Sequence, residues 1–458
     1  TQYPATPSLS RTSSTGRTMS HTAIPLDATA APASSKNQST KRLSTASMIG
    51  TTLEWYDFTV YNTMAALIFN KIFFPSFDPL SGTILAFSTY AVGYVSRPIG
   101  GVIFGHLGDK LGRRFVLVAT LLLMGLTTGL MGLLPTYASI GIWSPVLLVA
   151  LRFVQGVALG GEWAGAVLIS VEHGAQDKRG RNASWTQVGP SFGTLLATGF
   201  IALITYLLAP DQFLDWGWRI PFLASLLLVA FGLWIRRGVD ETPKFKELEA
   251  NHSKAETPVS EVFRNYWKRL LIAGGVRIGS DVLYALVVVF TLTYVTTVLN
   301  LPRPLALTAI MIGTACNALS VPLFGALSDR IGRRPVYGLG VVLAMIWAFV
   351  FFLLLDSSQP LLIVAAVVGG LIIHAIMYGP QAAFVTEQFP TRVRYAGSSL
   401  AYTLAGIVGG GFAPLIIASL FRSYHSTIAI SLYLVAALSL TGIALLAARE
   451  TGKSALEE

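Results

Sequence analysis

A single cysteine, Cys316, stands in a chain of 458 residues, so neither an intrachain disulfide framework nor a thiolate metal site can be built. Charge is also scarce. Only 12% of the residues are Asp, Glu, Lys or Arg, against roughly 25% in soluble domains. No G-x-x-x-x-G-K-[ST] run is present, which argues against ATP as the energy source. No H-E-x-x-H pattern and no cluster of Cys and His points to a metal enzyme, so no metal, no cofactor and no catalysis are expected. What the chain has is apolar: 53% hydrophobic residues and a mean hydropathy of +0.61. That excludes an ordinary cytosolic enzyme and disorder along the whole chain. Its solvent must be mostly lipid, where backbone groups are satisfied inside helices or a closed barrel. Barrel strands alternate apolar and polar residues, whereas the apolar runs here are long and uninterrupted. Helices are therefore expected, with Cys316 as a small buried hydrophobe within one of them.

The formal net charge of +10 is spread in short clusters between apolar runs and forms no continuous basic face. Membrane topology explains it, and nucleic acid is not an expected partner. Residues 1–43, rich in Ser, Thr, Ala and Pro, lack the apolar core of a cleavable signal and are expected to be a disordered tail. Met19 lies inside that tail, so the residues before it are expected to be an upstream extension or an engineered remnant. Twelve apolar segments follow, each near the ~20 residues of a spanning helix. They fall at about 46–70, 82–105, 114–134, 145–171, 184–208, 219–236, 268–298, 304–327, 335–355, 360–386, 395–420 and 426–448. The polar stretch 238–266, with Lys244, Lys246, Glu247, Glu249, Lys254 and Glu256, divides them into an amino half, 44–237, and a carboxyl half, 267–449, followed by a short tail, 450–458. With the amino terminus inside, the only Lys and Arg in outer loops are Lys71, Arg303 and Arg422. Excess Lys and Arg mark the cytoplasmic side, so both termini are expected there.

One decapeptide occurs twice. Gly105-His-Leu-Gly-Asp109-Lys-Leu-Gly112-Arg113-Arg114 recurs 220 residues later as Gly325-Ala-Leu-Ser-Asp329-Arg-Ile-Gly332-Arg333-Arg334, in the equivalent loop of the other half. Two six-helix repeats are expected. Glycines allow a tight turn, the aspartate suits the positive end of a neighbouring helix, and the arginines suit carboxylates or helix carboxyl ends. The loop thus reads as a breakable cytoplasmic latch. Charge bias for topology is the alternative, but it does not require an Asp between two glycines.

The pattern G-x-L-x-D-[RK]-x-G-R-R in both halves resembles the major facilitator superfamily signature, and Arg152-Phe-Val-Gln155-Gly156 resembles its fourth-helix R-x-x-Q-G. Glu54-Trp-Tyr-Asp57-Phe58, Ser96-Arg97-Pro-Ile-Gly-Gly101, Gly160-Gly-Glu162-Trp163 and Asp215-Trp-Gly-Trp-Arg219-Ile-Pro221 are similar to the metabolite:proton symporter family. Its members carry shikimate, 2-oxoglutarate, citrate, or proline and betaine. The resemblance runs from Ser44 to Arg449. It implies an all-α polytopic membrane protein of twelve transmembrane helices in two pseudo-symmetric halves, which rock about a central site lined by helices 1, 4, 7 and 10.

Ionisable groups in hydrocarbon are costly unless paired, neutralised or hydrated, so they mark a pathway. Counted from the cytoplasmic helix ends, Glu54, Arg97 and Glu162 lie at ~12–14 Å depth and Asp57 and Arg152 at ~16–29 Å. A network of these five within one half is expected. Glu54 and Asp57 share a helix face, and two close carboxylates resist joint ionisation. Asp57 and Glu162 are the preferred proton-coupling residues, with Glu54 and Arg152 beside them; a static ion pair that only ties helices together is the alternative. In the carboxyl half, the repeat offset places Arg277 where the first half has Asp57. Arg277 is the candidate for a substrate carboxylate, with Arg97 the runner-up, although Asp281, four residues on, could neutralise it. His374, Tyr284, Tyr378 and Gln381 are candidate hydrogen-bonding groups, or equally helix-packing residues.

The expected function is proton-coupled import of a small organic acid, shikimate-like and mono- or dicarboxylate, by a monomer in the bacterial inner membrane. A carrier of proline or betaine, an uncoupled facilitator and a membrane receptor are the rivals. The nine residues after Arg449 are too few for the coiled coil of the osmosensory branch, which disfavours an osmosensor.

Overall fold

The computed structural model describes residues 33–111, 113–160, 163, 167–168, 176–236, 258–390 and 393–452. Two compact units divide the chain, Thr1–Ser39 and Thr40–Glu458; of the first, residues 33–39 are helical. No strand occurs among the described residues.

Helix α1 is Ala33–Met64, prolonged by a π-helical turn, Ala65–Phe69. It begins within the segment expected to be a disordered tail. No Pro or Gly occurs from Ala33 to Ile49, so nothing local stops the helix from extending back from its apolar run. Helix α2 comes in two pieces, Pro79–Val95 and Arg97–Leu111, which meet at Ser96. Asp78 caps the first piece, accepting a hydrogen bond from the Ser81 backbone at 3.0 Å, with Pro79 at the position where a missing N–H costs nothing. Then follow α3 (Arg113–Leu133), α4 (Trp143–Leu159) and α5 (Arg179–Leu207). Helix α6 (Arg219–Arg236) is preceded by Pro210–Gly217, and the pair bends by 49°. The stretch between the halves carries a short helix, Pro258–Asn265. The second half consists of α7 (Trp267–Val298), α8 (Arg303–Ile331), α9 (Arg333–Asp356), α10 (Pro360–Glu387), α11 (Arg394–Tyr424) and α12 (Thr427–Ala447).

Among the described residues, α5 and α7 to α12 are seven helices long and apolar enough to cross a membrane, and the bent pair at α6 makes an eighth. Their outward faces carry large apolar side chains such as Leu319, Leu353 and Leu446, about three-quarters exposed. Such side chains belong against lipid tails. Cys316 is half-buried on α8 rather than fully enclosed.

The two halves share local irregularities. The π-helical turn of α1 at Ala65 and that of α7 at Ala285 lie one repeat length apart. Where α8 turns into α9, Gly332 takes φ +105°, a conformation that side chains with a Cβ disfavour. Helices α2 and α4 touch backbone to backbone: a Cβ on Gly156 would collide with the Gly93 carbonyl, and one on Gly160 with the Arg97 carbonyl. Small residues permit such contact in lipid, and it brings Arg97 and Arg152 into one neighbourhood. Between the halves, α5 packs on α8 and α10, α2 on α11, and the end of α1 on α7.

Candidate functional site

Where those helices face one another lies a partly open cavity, with about 500 Å³ of space not occupied by atoms when open solvent is counted. The amino half contributes Trp55 from α1, Tyr90 and Tyr94 from α2, and Ser191 from α5. From the carboxyl half come Arg277, Asp281 and Tyr284 on α7, Asn317 on α8, and His374 and Tyr378 on α10.

Arg277 is almost fully buried and forms a 2.8 Å ion pair with Asp281, one turn along α7. Its Nη1 donates to the Tyr402 backbone carbonyl at 2.5 Å, and its guanidinium lies 3.3 Å from the centre of the Tyr402 ring. Trp163 stacks on that same ring at 3.7 Å and 12°. Two groups so close cannot occupy one face. Tyr402 of α11 is therefore sandwiched between a cation of its own half and an indole of the other. This leaves Arg277 matched by a carboxylate and a π-face, a pairing that an incoming carboxylate can compete for.

Neutral groups line the wall farther along α7. The Tyr284 hydroxyl and Thr194 of α5 are hydrogen-bonded at 2.8 Å, and Ser191 donates to Asn317 Oδ1 at 2.8 Å. Both bonds cross between the halves. Asn317 in turn contacts His374 Nδ1 at 3.2 Å. Rings of Tyr378 and Tyr284 pack on His374 with centroids 4.8 Å and 5.3 Å away. Gln381, also expected near the substrate, instead donates to the Tyr337 hydroxyl at 3.0 Å inside the carboxyl half.

The amino half holds its charges differently. Asp57, 2% exposed, accepts a hydrogen bond from Ser225 of α6, while its Oδ2 has no hydrogen-bond partner among the described residues. Arg152 donates to Gln155, which donates to Thr128 at 2.6 Å. Its guanidinium lies 4.2 Å from the Phe58 ring, 4.1 Å from Tyr61 and 4.9 Å from Tyr90. Arg97 lies 4.1 Å from the Tyr94 ring and 4.6 Å from Phe58. Of the expected network, Asp57 lies within electrostatic reach of Arg152. Asp57 turns toward α6, and the neighbouring Phe58 fills the space before both guanidiniums. Glu54 is buried and within electrostatic reach of Tyr402. Glu162 lies outside the described residues.

At the end of the bundle that carries the repeated loop, Asp329 accepts hydrogen bonds from the backbone N–H groups of Gly180 and Arg181 at 2.8 and 2.9 Å. A carboxylate of the carboxyl half thereby sits on the positive end of α5. Arg333 pairs with Asp329 at 2.7 Å and Glu387 at 3.2 Å, and Arg179 reaches Glu387 at 3.2 Å across the halves. Glu450 accepts from the backbone N–H groups of Arg333 and Arg334, both at 2.8 Å, capping α9. Arg334 donates to the Leu446 carbonyl at 3.2 Å. Of the first copy, which starts at Gly105 in α2, Gly112 and the side chains of Asp109, Arg113 and Arg114 lie outside the described residues. At the opposite end, the halves meet through an exposed pair, Asp78 and Arg422, at 3.4 Å. Hydrogen bonds from Ser81 hold the Asp78 carboxyl below the usual carboxylate range.

Several groups here escaped the sequence reading. Asn317 is the single carboxamide of α8, which was the available signal, whereas Ser191 lies among Thr186, Gln187 and Thr194 of α5 and carried none. Tyr90 and Tyr94, one turn apart, could have been read as one aromatic face. Nothing in the sequence announces the stack of Trp163 on Tyr402, because its partners lie in different halves.

The family model described as Major Facilitator Superfamily matches residues 47–414, and again 281–457. The chain is 40% identical over 403 residues to the Shikimate transporter of Escherichia coli (strain K12), covering 86% of this chain and 91% of that one. It is 39% identical over 416 residues to the Inner membrane metabolite transport protein YhjE of the same organism, covering 90% and 94%. The Proline/betaine transporter of Escherichia coli (strain K12) is 34% identical over 407 residues, covering 85% and 80%. Among solved structures, the proton:xylose symporter XylE bound to 6-bromo-6-deoxy-D-glucose superposes with a TM-score of 0.73 at 17% identity, covering 92% of this chain and 98% of that one. The last likeness shows the fold.

Proposed function

The chain belongs to the Major Facilitator Superfamily of transporters, and on that premise we propose that it imports a small organic acid together with protons across a bacterial inner membrane. Arg277 carries the reading: a buried guanidinium in the wall of a cavity between the halves, balanced by one carboxylate. A substrate carboxylate is the natural competitor for that balance, and neutral hydrogen-bonding groups stand among apolar ones in the rest of the wall. Asp57 is the proposed proton carrier, with Glu162, Glu54 and Arg152 in support. The charged form of a buried carboxyl must be matched by donors or a cation, and the neutral form need not be. Loading and releasing a proton there therefore changes which arrangement of the halves is cheaper.

Alternating access then consists of rocking the half 44–237 against the half 267–449, linked by 238–266, in a monomer with both termini in the cytoplasm. The contacts of Asp329, Arg333 and Glu387 with α5 form the cytoplasmic latch that opens once per cycle, and the loop at 105–114 is its proposed counterpart. The relatives named for shikimate and metabolite transport support an organic acid as cargo. A zwitterion is the second reading, because Asp281 lies in the wall beside Arg277 and offers both signs of charge, and one relative is named for proline and betaine.

Purified protein in proteoliposomes tests this. Shikimate should accumulate above equilibrium only with an inward proton gradient, alkalinising the outside, and excess proline should not compete. Equal filling rates and final levels with and without the gradient would reject proton coupling, and competition by proline would select the zwitterion reading.

A further inference from the structure

The hydrogen bonds around Asn317 determine how His374 presents itself to the cavity. Nδ2 of Asn317 lies 2.7 Å from the Leu371 carbonyl. A carbonyl can only accept, so the amide nitrogen must face α10, and the oxygen is left to accept from Ser191. The second hydrogen on Nδ2 is then directed at His374 Nδ1, 3.2 Å away. A ring nitrogen approached by an N–H is the acceptor, so the proton of the neutral imidazole resides on Nε2. Among the described residues, no hydrogen bond uses Nε2. Tyr378, stacked on the same ring, has a buried hydroxyl without a hydrogen-bond partner among the described residues. Both residues line the cavity.

We propose that His374 is a specificity-determining residue: its Nε2–H donates to a hydroxyl or carbonyl oxygen of the substrate other than its carboxylate, and Asn317 is the positioning residue that holds the imidazole in this form. The inference rests on the organic-acid reading and narrows it to hydroxylated or keto acids. Height along the cavity supports it. Arg277 and Tyr284 are seven residues apart on a regular stretch of α7, about 10 Å along the axis, and His374 packs on Tyr284. A carboxylate at Arg277 and a ring oxygen at His374 are therefore read at different levels by different helices. Tyr378 supplies a further hydroxyl beside the second reader.

The test compares two acids of one ring skeleton, shikimate and cyclohex-1-ene carboxylate, by equilibrium binding in detergent and by uptake KM in proteoliposomes. Wild type should favour the hydroxylated acid. His374→Phe should reduce that preference by about tenfold, the effect of losing one hydrogen bond to a buried partner, and His374→Gln, which retains an amide donor, should restore most of it. Histidine labelled with 15N, read by difference against His374→Gln, should show a protonated Nε2 and a bare Nδ1. Asn317→Asp should reverse that pattern, because a carboxylate facing Nδ1 demands the proton there. Equal binding of the two acids by wild type, an unchanged preference in His374→Phe, or a protonated Nδ1 in wild type each overturns the proposal. Absence of proton-driven uptake would reject the transport mechanism, while the binding ratio and the nitrogen signals would still decide the role of His374.

Discussion

The two halves carry one repeated decapeptide, yet they bury charge in opposite ways. In the carboxyl half, Arg277 is matched directly by Asp281 at 2.8 Å. In the amino half, Arg97 and Arg152 rest on the rings of Phe58, Tyr61, Tyr90 and Tyr94, while Asp57 bonds a neutral hydroxyl. A direct ion pair favours a fixed charge state on both partners. A carboxyl that bonds a hydroxyl, with the nearby arginine resting on aromatic rings, has no such commitment. The contrast supports the proposal that substrate recognition lies with one half and proton coupling with the other.

The sharpest way to break the contrast is Asp57→Asn, which mimics a permanently protonated carboxyl. Concentrative uptake should disappear entirely, while exchange of labelled for unlabelled substrate across proteoliposomes persists. Retained accumulation against a gradient would move the proton elsewhere. Next in size is Arg277→Ala. Losing a charge-assisted contact should raise the substrate KM roughly 10- to 100-fold, and the stranded Asp281 should destabilise the protein by about 3–5 kcal/mol. Replacing both residues, Arg277→Met with Asp281→Leu, should recover the melting temperature without recovering uptake. Full recovery of both would make the pair structural.

A smaller effect separates the two ends of the bundle. Glu450→Ala removes the cap on α9 beside the latch, about 1 kcal/mol. It should favour the conformation open at that end, seen as faster labelling of a cysteine placed at Ser184, with KM little changed. Arg422→Ala, which breaks the exposed pair on the opposite side and leaves the Asp78 cap on α2 in place, should change neither labelling nor uptake, since exposed pairs contribute little. A strong effect of Arg422→Ala would mean that the opposite end is latched too.

Much of the helical plan was legible. Apolar runs of spanning length marked the helices, and the duplicated decapeptide marked the halves, because both signals are local in the chain. Gly332 was singled out as part of the turn between α8 and α9, where its positive φ now accounts for it. The early start of α1 was not legible, since its first turns carry the same polar residues as a tail. The site was readable only in part. Arg277, Asp281, Tyr284, His374 and Tyr378 were named and line the cavity, whereas Gln381 bonds Tyr337. Asn317, Ser191, Tyr90 and Tyr94 were missed, because a polar or aromatic residue in an apolar helix does not disclose which neighbour it meets.

By itself, the sequence determined that this chain lives in lipid as paired six-helix repeats and that a few charges lie where charges are costly. Those properties depend on composition and spacing, which transfer directly from chain to helix. Only the tertiary structure decided which of those charges meet. It placed Asp57 in hydrogen bond with Ser225, Tyr402 between Arg277 and Trp163, and the Asn317 amide against His374 Nδ1. The physical reason is that a helix presents side chains around its full circumference. Which of them reach a partner depends on rotation and crossing between helices, set here by glycine contacts and buried rings far apart in the chain.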